Sequence, residues 1–88
     1  MKLKYTFVTS RVADKTVAVA VNAQGGKKNS IIKMNETGAF IFELLKNDIT
    51  EQEIIAKLLE EYEGATLEEI EQAVKAFIKN LKKADVLE

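Results

Sequence analysis

Carboxylates, lysines and hydroxyl groups are the side chains of this chain that could do chemistry, because cysteine and histidine are both absent. Their absence excludes disulfides, Cys/His zinc sites, thiol nucleophiles and catalytic dyads that need an imidazole. The carboxylates recur on the solvent side of amphipathic helices, with no candidate partner group in a cleft. They include Glu51, Glu53, Glu60, Glu61 and Glu63. We therefore predict that the chain is not an enzyme and holds no metal or cofactor.

The length and composition indicate one small globular domain. The 88 residues can bury one modest core, and 47% of them are hydrophobic and 31% charged. We predict a single domain over residues 1–88. The chain has no apolar stretch of about eighteen residues and no basic-then-apolar leader, so we expect neither a membrane span nor a signal peptide. Together with the absence of cysteine, which fits a reducing compartment, this predicts a cytoplasmic protein.

The charge is unevenly distributed along the chain. The net charge is −1, but the segment up to Met34 has seven basic residues and one acidic residue, a local charge of +6. From Asn35 onward, six basic and thirteen acidic residues give a local charge of −7. Two interpretations stay open: a basic sheet and acidic helices that attract each other, or a basic face that recruits an acidic partner.

Alternating residues predict three short strands in the first part of the chain. Thr16 to Val21 alternates valine with alanine, which is typical of a strand and is interpreted with the valines toward the core. Tyr5 to Ala13 precedes it, and Asp14-Lys15 is predicted to be the two-residue hairpin turn between them. Asn22 to Lys28 is a polar loop without the continuation of a phosphate-binding motif, and Asn29 to Met34 is predicted to be a third strand.

Three helices are predicted to follow. Asn35 can cap the first, which runs to about Lys46 with apolar residues nearly all round, so that helix must be central. The segments from Thr50 to Glu53 and from Thr66 to Glu69 are capping boxes that open the second and third helices. Gly64 lies where a helix would end in a left-handed conformation. The apolar stripe of the third helix is predicted to be Leu67, Ile70, Val74, Phe77 with Ile78, and Leu81.

The elements predict an α+β domain that is winged helix-turn-helix-like, with a three-stranded antiparallel sheet followed by three helices. In a DNA-binding domain of this kind, the N-terminal end of the third helix enters the major groove. Here that end carries Glu68, Glu69 and Glu71, which would repel phosphates. The lysines of the helix lie in its second half, where they complement the helix dipole. A winged-helix DNA-binding domain is therefore the alternative hypothesis, and we expect no nucleic-acid partner.

Protein or peptide binding remains, and the predicted third strand offers a mechanism. If Asn29 to Met34 lies at a sheet edge, its backbone N–H and C=O groups can pair with an added strand from a partner. The same edge would allow homodimers through strand exchange. An ordinary half-buried strand is the other interpretation. The closing residue Leu87 is expected to fold back onto the core.

A resemblance to the coenzyme PQQ synthesis protein D (PqqD) family is carried by Met34-Asn35-Glu36-Thr37-Gly38-Ala39-Phe40-Ile41-Phe42-Glu43-Leu44-Leu45. Members of this family carry a Leu-Asn-Glu-Thr-Gly/Ala-like segment followed by an apolar helix. The resemblance continues through residues 49–55, 58–62, 74–81 and 86–87, and so covers nearly the whole chain. Met34 stands where leucine is usual and Phe42 where tryptophan is frequent. These departures do not threaten the fold, and the resemblance does not identify PQQ as the product.

The resemblance implies a precursor-peptide (RiPP) recognition element. Such a domain is a non-catalytic peptide chaperone that captures the leader of a ribosomally made precursor peptide and presents it to a modifying enzyme, typically a radical S-adenosylmethionine (SAM) maturase. In this family the leader adds as a strand beside the third strand, in the groove next to the third helix. Carried over by position, the peptide-binding residues would be Asn29, Ser30, Ile31, Ile32 and Lys33 on the strand and Val74, Lys75, Ile78, Lys79 and Lys82 on the helix.

Overall fold

The computed structural model describes residues 1–21 and 31–88, and its elements follow the predicted order. Three antiparallel strands precede three helices, which confirms the predicted α+β architecture. The elements are β1 (Thr6–Val12), β2 (Lys15–Val21), β3 (Ile31–Met34), α1 (Glu36–Leu44), α2 (Glu51–Glu61) and α3 (Leu67–Lys83). The polar loop predicted over Asn22 to Lys28 lies outside the described residues, as do Asn29 and Ser30 of the predicted third strand.

The hairpin turn between β1 and β2 differs by one residue from the prediction. Val12 pairs with Lys15, so the turn is Ala13-Asp14 rather than Asp14-Lys15. Ala13 has a φ of 58°, in the left-handed region that tight hairpin turns require. Alanine is not a typical residue for that conformation. The turn position is therefore set by the pairing of the two strands and not by a local turn signal.

The alternation of β2 is confirmed, but the prediction that its valines face the core is wrong. Ala18 and Ala20 are buried, whereas the valines between and beside them are partly exposed. The register gives the reason, because Ala20 lies opposite the buried Phe7. The rings of Phe7 and Phe42 pack edge to face on this side, with centroids 5.0 Å apart. Small side chains on β2 leave the volume that these rings fill.

The first helix, α1, is the central element, as its apolar composition predicts. Ile41 and Phe42 are each 1% exposed. The helix packs against β2 and β3 and against α2 and α3. Asn35 caps it as predicted, and its Oδ1 accepts a 2.8 Å hydrogen bond from the amide of Gly38. The cap fixes the point at which the chain turns from β3 into the core helix.

Both predicted capping boxes are confirmed. The Thr50 hydroxyl accepts from the Glu53 amide while the Glu53 carboxylate accepts from the Thr50 amide, and Thr66 and Glu69 do the same at α3. Gly64 has the predicted positive φ, at 90°, although α2 already ends at Glu61. These side-chain bonds satisfy amides that the first turn of a helix leaves free, so both helix starts are well defined.

The core stripe of α3 is shorter than predicted. Ile70, Val74, Ile78 and Leu81 are buried, but Leu67 is 52% exposed. Leu67 is the first residue of the helix, where the Cβ direction leans back toward the preceding loop and not over the packed face.

The two ends of the chain are tied together. Leu87 is 7% exposed and forms an isolated bridge with Leu3, which confirms that it folds back on the core. Lys4 donates a 2.8 Å backbone hydrogen bond to the carbonyl oxygen of Val86. Among the described residues, no helix has the length and apolar character that crossing a membrane requires. The cytoplasmic location stays a prediction.

Candidate functional site

The third strand, β3, lies at an edge of the sheet, whose order is β1-β2-β3. It pairs with β2 from Met34 opposite Thr16 to Ile31 opposite Val19, and within the described part of the chain no other strand pairs with it. About half of the backbone N–H and C=O groups of an edge strand point away from its neighbour. The condition on which strand addition depends, an edge position for the third strand, is therefore met by residues 31–34.

The third helix stands beside this edge without closing it. Between residues 31–34 and 67–83, no two Cα atoms lie within 8 Å of each other. A strand added to β3 would lie about 4.8 Å from it. No Cα atom of α3 lies at that distance from β3. We call the gap between these two elements the β3/α3 groove.

The β3/α3 groove contains a cavity of about 250 Å³. One wall comes from β3 and the residue that caps α1, and the other wall comes from α3 and its C-cap. The cavity is lined by Ile32, Lys33, Met34, Asn35, Phe77, Asn80, Leu81 and Ala84. The helix residues recur at spacings of three and four, so they form one face of α3. Five of the eight lining side chains are apolar, and the other three carry two amides and one ammonium group.

The Phe77 ring occupies the space that a side chain at residue 38 would fill. A Cβ atom on Gly38 would lie 2.9 Å from Cε1 of Phe77 and 3.1 Å from Cβ of Met34. Both distances are shorter than the optimum separation of non-bonded carbon atoms. At Gly38, side chains from both walls of the groove therefore approach the backbone closely.

The predicted strand residues that the structure describes border the groove in two ways. Ile32 and Lys33 line the cavity. Ile31 is 59% exposed and belongs to the other face of the sheet, in register with Val19. A peptide paired with this strand would contact the backbone of all three residues.

The predicted helix residues lie beside the groove wall and not on it. Val74 is fully buried and Ile78 is 4% exposed, so both belong to the core. Lys75, Lys79 and Lys82 are exposed and do not line the cavity. Their part in binding a peptide stays a prediction.

Sequence reasoning missed the helix residues that form the wall. They are Phe77, Asn80, Leu81 and Ala84. A signal was present, because Phe77, Asn80 and Ala84 recur at spacings of three and four beside the buried stripe, to which Leu81 belongs. Only the placement of α3 against α1 shows which of the two lines is accessible.

The groove is electropositive at its β3 end. Lys33 lines the cavity and forms no ion pair with any residue in the ranges 1–21 and 31–88. Lys82 and Lys83 lie in the last turn of α3. Positive charge at this end favours a ligand that carries carboxylates.

The shifted pKa values belong to residues that do not line the groove. The hydrogen bond from Lys4 to Asp85 raises the pKa of Lys4, and the hydrogen bond from the N-terminal amine lowers the pKa of Asp48. Both groups are exposed. In the described ranges, no set of carboxylates is arranged to hold a metal ion.

A larger recess, about 470 Å³, lies along the N-terminal segment and the start of β1. Two of its lysines have partners, because Lys4 pairs with Asp85 and Lys46 with Glu43. This recess borders β1, which lies at the opposite edge of the sheet from β3. We therefore regard the β3/α3 groove as the candidate site.

Comparisons with known proteins agree with the fold and with the resemblance in the sequence. The family model for coenzyme PQQ synthesis protein D (PqqD) matches residues 14–87. A solved structure described as TbiB1 in complex with the TbiA(beta) leader peptide is similar, with a TM-score of 0.75. The similarity covers 100% of this chain and 95% of that chain at 20% sequence identity, so it concerns the fold. A comparison with curated proteins gave no match.

Proposed function

We propose that this chain, which belongs to the PqqD family, is a non-catalytic peptide-binding protein. It captures the leader of a ribosomally made precursor peptide as a fourth strand beside β3. It then presents the precursor to a modifying enzyme. The observation that carries the proposal is the open edge of β3 with an apolar groove directly beside it.

An added strand would use both the backbone edge and the groove. Side chains of a strand alternate between the two faces of a sheet. Every second leader side chain would therefore point into the β3/α3 groove, against Phe77 and Leu81. The side chains between them would join the outer face beside Ile31.

The class of ligand has support from a protein of the same fold. TbiB1, which is similar in structure, was solved with a leader peptide. The exposed Lys33 suits a leader with aspartate or glutamate at the β3 end. We expect long-range electrostatic attraction, and not direct contact, between such a leader and the exposed Lys75, Lys79 and Lys82. The modifying enzyme is a radical SAM maturase, as the family resemblance implies.

The expected affinity follows from the contacts that the groove offers. Four backbone hydrogen bonds at about 1 kcal/mol each and two buried aliphatic side chains at about 2 kcal/mol each give about 8 kcal/mol. Ordering a disordered leader reduces this value. We therefore expect a dissociation constant of about micromolar or weaker.

The test first searches the neighbouring genes for a short precursor peptide and then uses a synthetic, fluorescently labelled copy of its leader. Fluorescence anisotropy measures binding without any enzyme, and a series of leaders carries one N-methylated amide each. We expect affinity to fall at every second position of the bound segment, because only alternate amides of an added strand face β3. A loss of affinity without alternation would contradict strand addition, and an absence of binding would contradict the function.

A gel shift with mixed duplex DNA separates this function from the winged-helix alternative. Three glutamates stand in the first turns of α3, at Glu68, Glu69 and Glu71. We expect no shift at low salt, where electrostatic binding to DNA is strongest.

A further inference from the structure

The groove continues along α3 after β3 has ended. A second cavity, of about 270 Å³, shares Phe77 with the first and extends to Ala73. A third cavity, of about 200 Å³, shares Thr37 and Ala73 with the second. The three cavities follow one face of α3 from Ala84 back to Ile70.

This path is longer than the strand beside which it starts. The four residues of β3 span about 13 Å of extended chain. From Ala84 to Ile70, α3 advances by about 21 Å. The second cavity lies next to Asn35 and Gly38, which follow Met34 in the chain. A peptide that follows α3 would therefore continue past the Met34 end of β3 by about two or three residues.

The third cavity is an apolar recess at the far end of this path. Leu58 and Ile70, which line it, are 1% and 5% exposed, so the recess reaches the core. Tyr62 and Ala65 form half-buried walls. The Tyr62 ring packs edge to face on Phe40, with centroids 6.0 Å apart, which holds that wall in place. We call this cavity the Tyr62 recess.

The two ends of the path carry opposite charges. Residues 58–74 contain six glutamates and no lysine or arginine, and one of them, Glu69, lines the Tyr62 recess. Residues 75–84 contain four lysines and no acidic residue, and Lys33 lines the first cavity. A single peptide along the whole path would be complementary if it were acidic beside β3 and basic beside Glu69.

We propose that the leader continues past Met34 and places an apolar side chain in the Tyr62 recess, next to a lysine or arginine that faces Glu69. The proposal rests on the proposed function, because it concerns the same peptide. It identifies the ligand class as a leader with an acidic strand-forming segment joined to a short apolar and basic segment. The recess thereby becomes a second specificity site, separate from the strand edge.

The test selects ligands from a phage-displayed library of random peptides of about sixteen residues, which is longer than the path. Each selected peptide is also made in a truncated form that keeps only its strand-forming segment. Ala73→Leu narrows the path where the second and third cavities meet, and Ala73 is exposed, so folding is retained. Ala56→Leu makes the same change on an exposed face of α2 and serves as the matched control.

We expect Ala73→Leu to weaken the binding of the full-length peptides about ten- to thirtyfold, which is the effect of losing one well-buried aliphatic contact. The truncated peptides should bind both variants as they bind the wild type. Glu69→Gln keeps an acceptor for the capping box and should weaken only full-length peptides that carry the basic residue.

Equal binding of full-length peptides to the wild type and to Ala73→Leu would overturn the proposal that the leader occupies the Tyr62 recess. It would leave the proposed binding at β3 intact. Selected peptides without a basic residue beside the apolar one would overturn that proposal in the same way. A library that yields no binding peptide would overturn the proposed function, and the recess with it.

Discussion

The ring of Phe77 occupies the space that a side chain on residue 38 would need. A Cβ atom at Gly38 would lie 2.9 Å from Cε1 of Phe77. Gly38 belongs to the capped first turn of α1, and Phe77 lines the β3/α3 groove. The Asn-Glu-Thr-Gly motif that carries the family resemblance is therefore connected to the groove by a packing contact.

Replacing Gly38 by alanine should move the Phe77 ring and lower stability. Overpacking costs about 1–3 kcal/mol, while the better helix propensity of alanine returns at most about 1 kcal/mol. We expect a net loss of about 1 kcal/mol in the free energy of unfolding, measured by urea denaturation. Phe77→Leu should recover part of this loss in the Gly38→Ala background. Strictly additive effects of the two substitutions would show that the residues do not interact.

Reversing the charge of Lys33 should slow the association of an acidic leader. Lys33 lines the groove and is exposed, so its charge affects mainly the rate at which the leader associates with the chain. We expect Lys33→Glu to reduce the association rate about three- to tenfold and to weaken its dependence on salt. Lys57→Glu makes the same charge change on the exposed surface of α2. Similar association rates for the two variants would mean that the leader responds to the net charge of the protein and not to the position of Lys33.

Removing the hydroxyl of Thr66 should destabilise the start of α3. Thr66 accepts a 3.1 Å hydrogen bond from the Glu69 amide. Thr66→Ala should cost about 1 kcal/mol in the free energy of unfolding, whereas Thr66→Ser keeps the acceptor and should cost much less. Equal losses for alanine and serine would contradict a role for the hydroxyl as a cap.

The Lys4–Asp85 pair should make stability depend on pH in the alkaline range. The hydrogen bond to Asp85 raises the pKa of Lys4 above its ordinary value of 10.5, so the folded state favours the protonated amine. This contribution is complete below pH 10.5 and is lost as the pH rises through the raised pKa. Asp85→Asn removes the charge and suits the left-handed backbone at this residue, where φ is 61°.

Urea denaturation at neutral and alkaline pH measures this effect. Asp85→Asn should be less stable than the wild type at neutral pH, and the difference should shrink once Lys4 is deprotonated. A difference that does not change with pH would assign the effect of Asp85 to its other interactions.

The predictable part of the fold depends on local signals. Asn35, Thr50 and Thr66 cap their own helices, so the three helix starts follow from the residues within one turn. An edge position of β3 is the condition for strand addition, and the strand order meets that condition. Leu87 was predicted to return to the core, and it does so beside Leu3.

The features that sequence reasoning missed depend on contacts between distant segments. Valine and alanine alternate in β2 whichever set is buried, and only the rings packed against Ala20 decide the face. Val74 and Phe77 fit the same helical periodicity, yet one is buried and the other lines the groove. The position of the turn at Ala13 follows from strand pairing, because alanine is not a residue type that indicates a turn.

The most direct measurement is an isotope-filtered NOE experiment on the labelled chain with an unlabelled leader peptide. Strand addition predicts NOEs between backbone protons of the peptide and the amide and Hα protons of Ile31–Met34, with side-chain NOEs from the peptide to the Phe77 ring. The alternating pattern of an antiparallel or parallel ladder would then give the direction of the leader. A bound peptide whose NOEs reach only α2 or the valine face of the sheet, with none to the backbone of β3, would contradict the account.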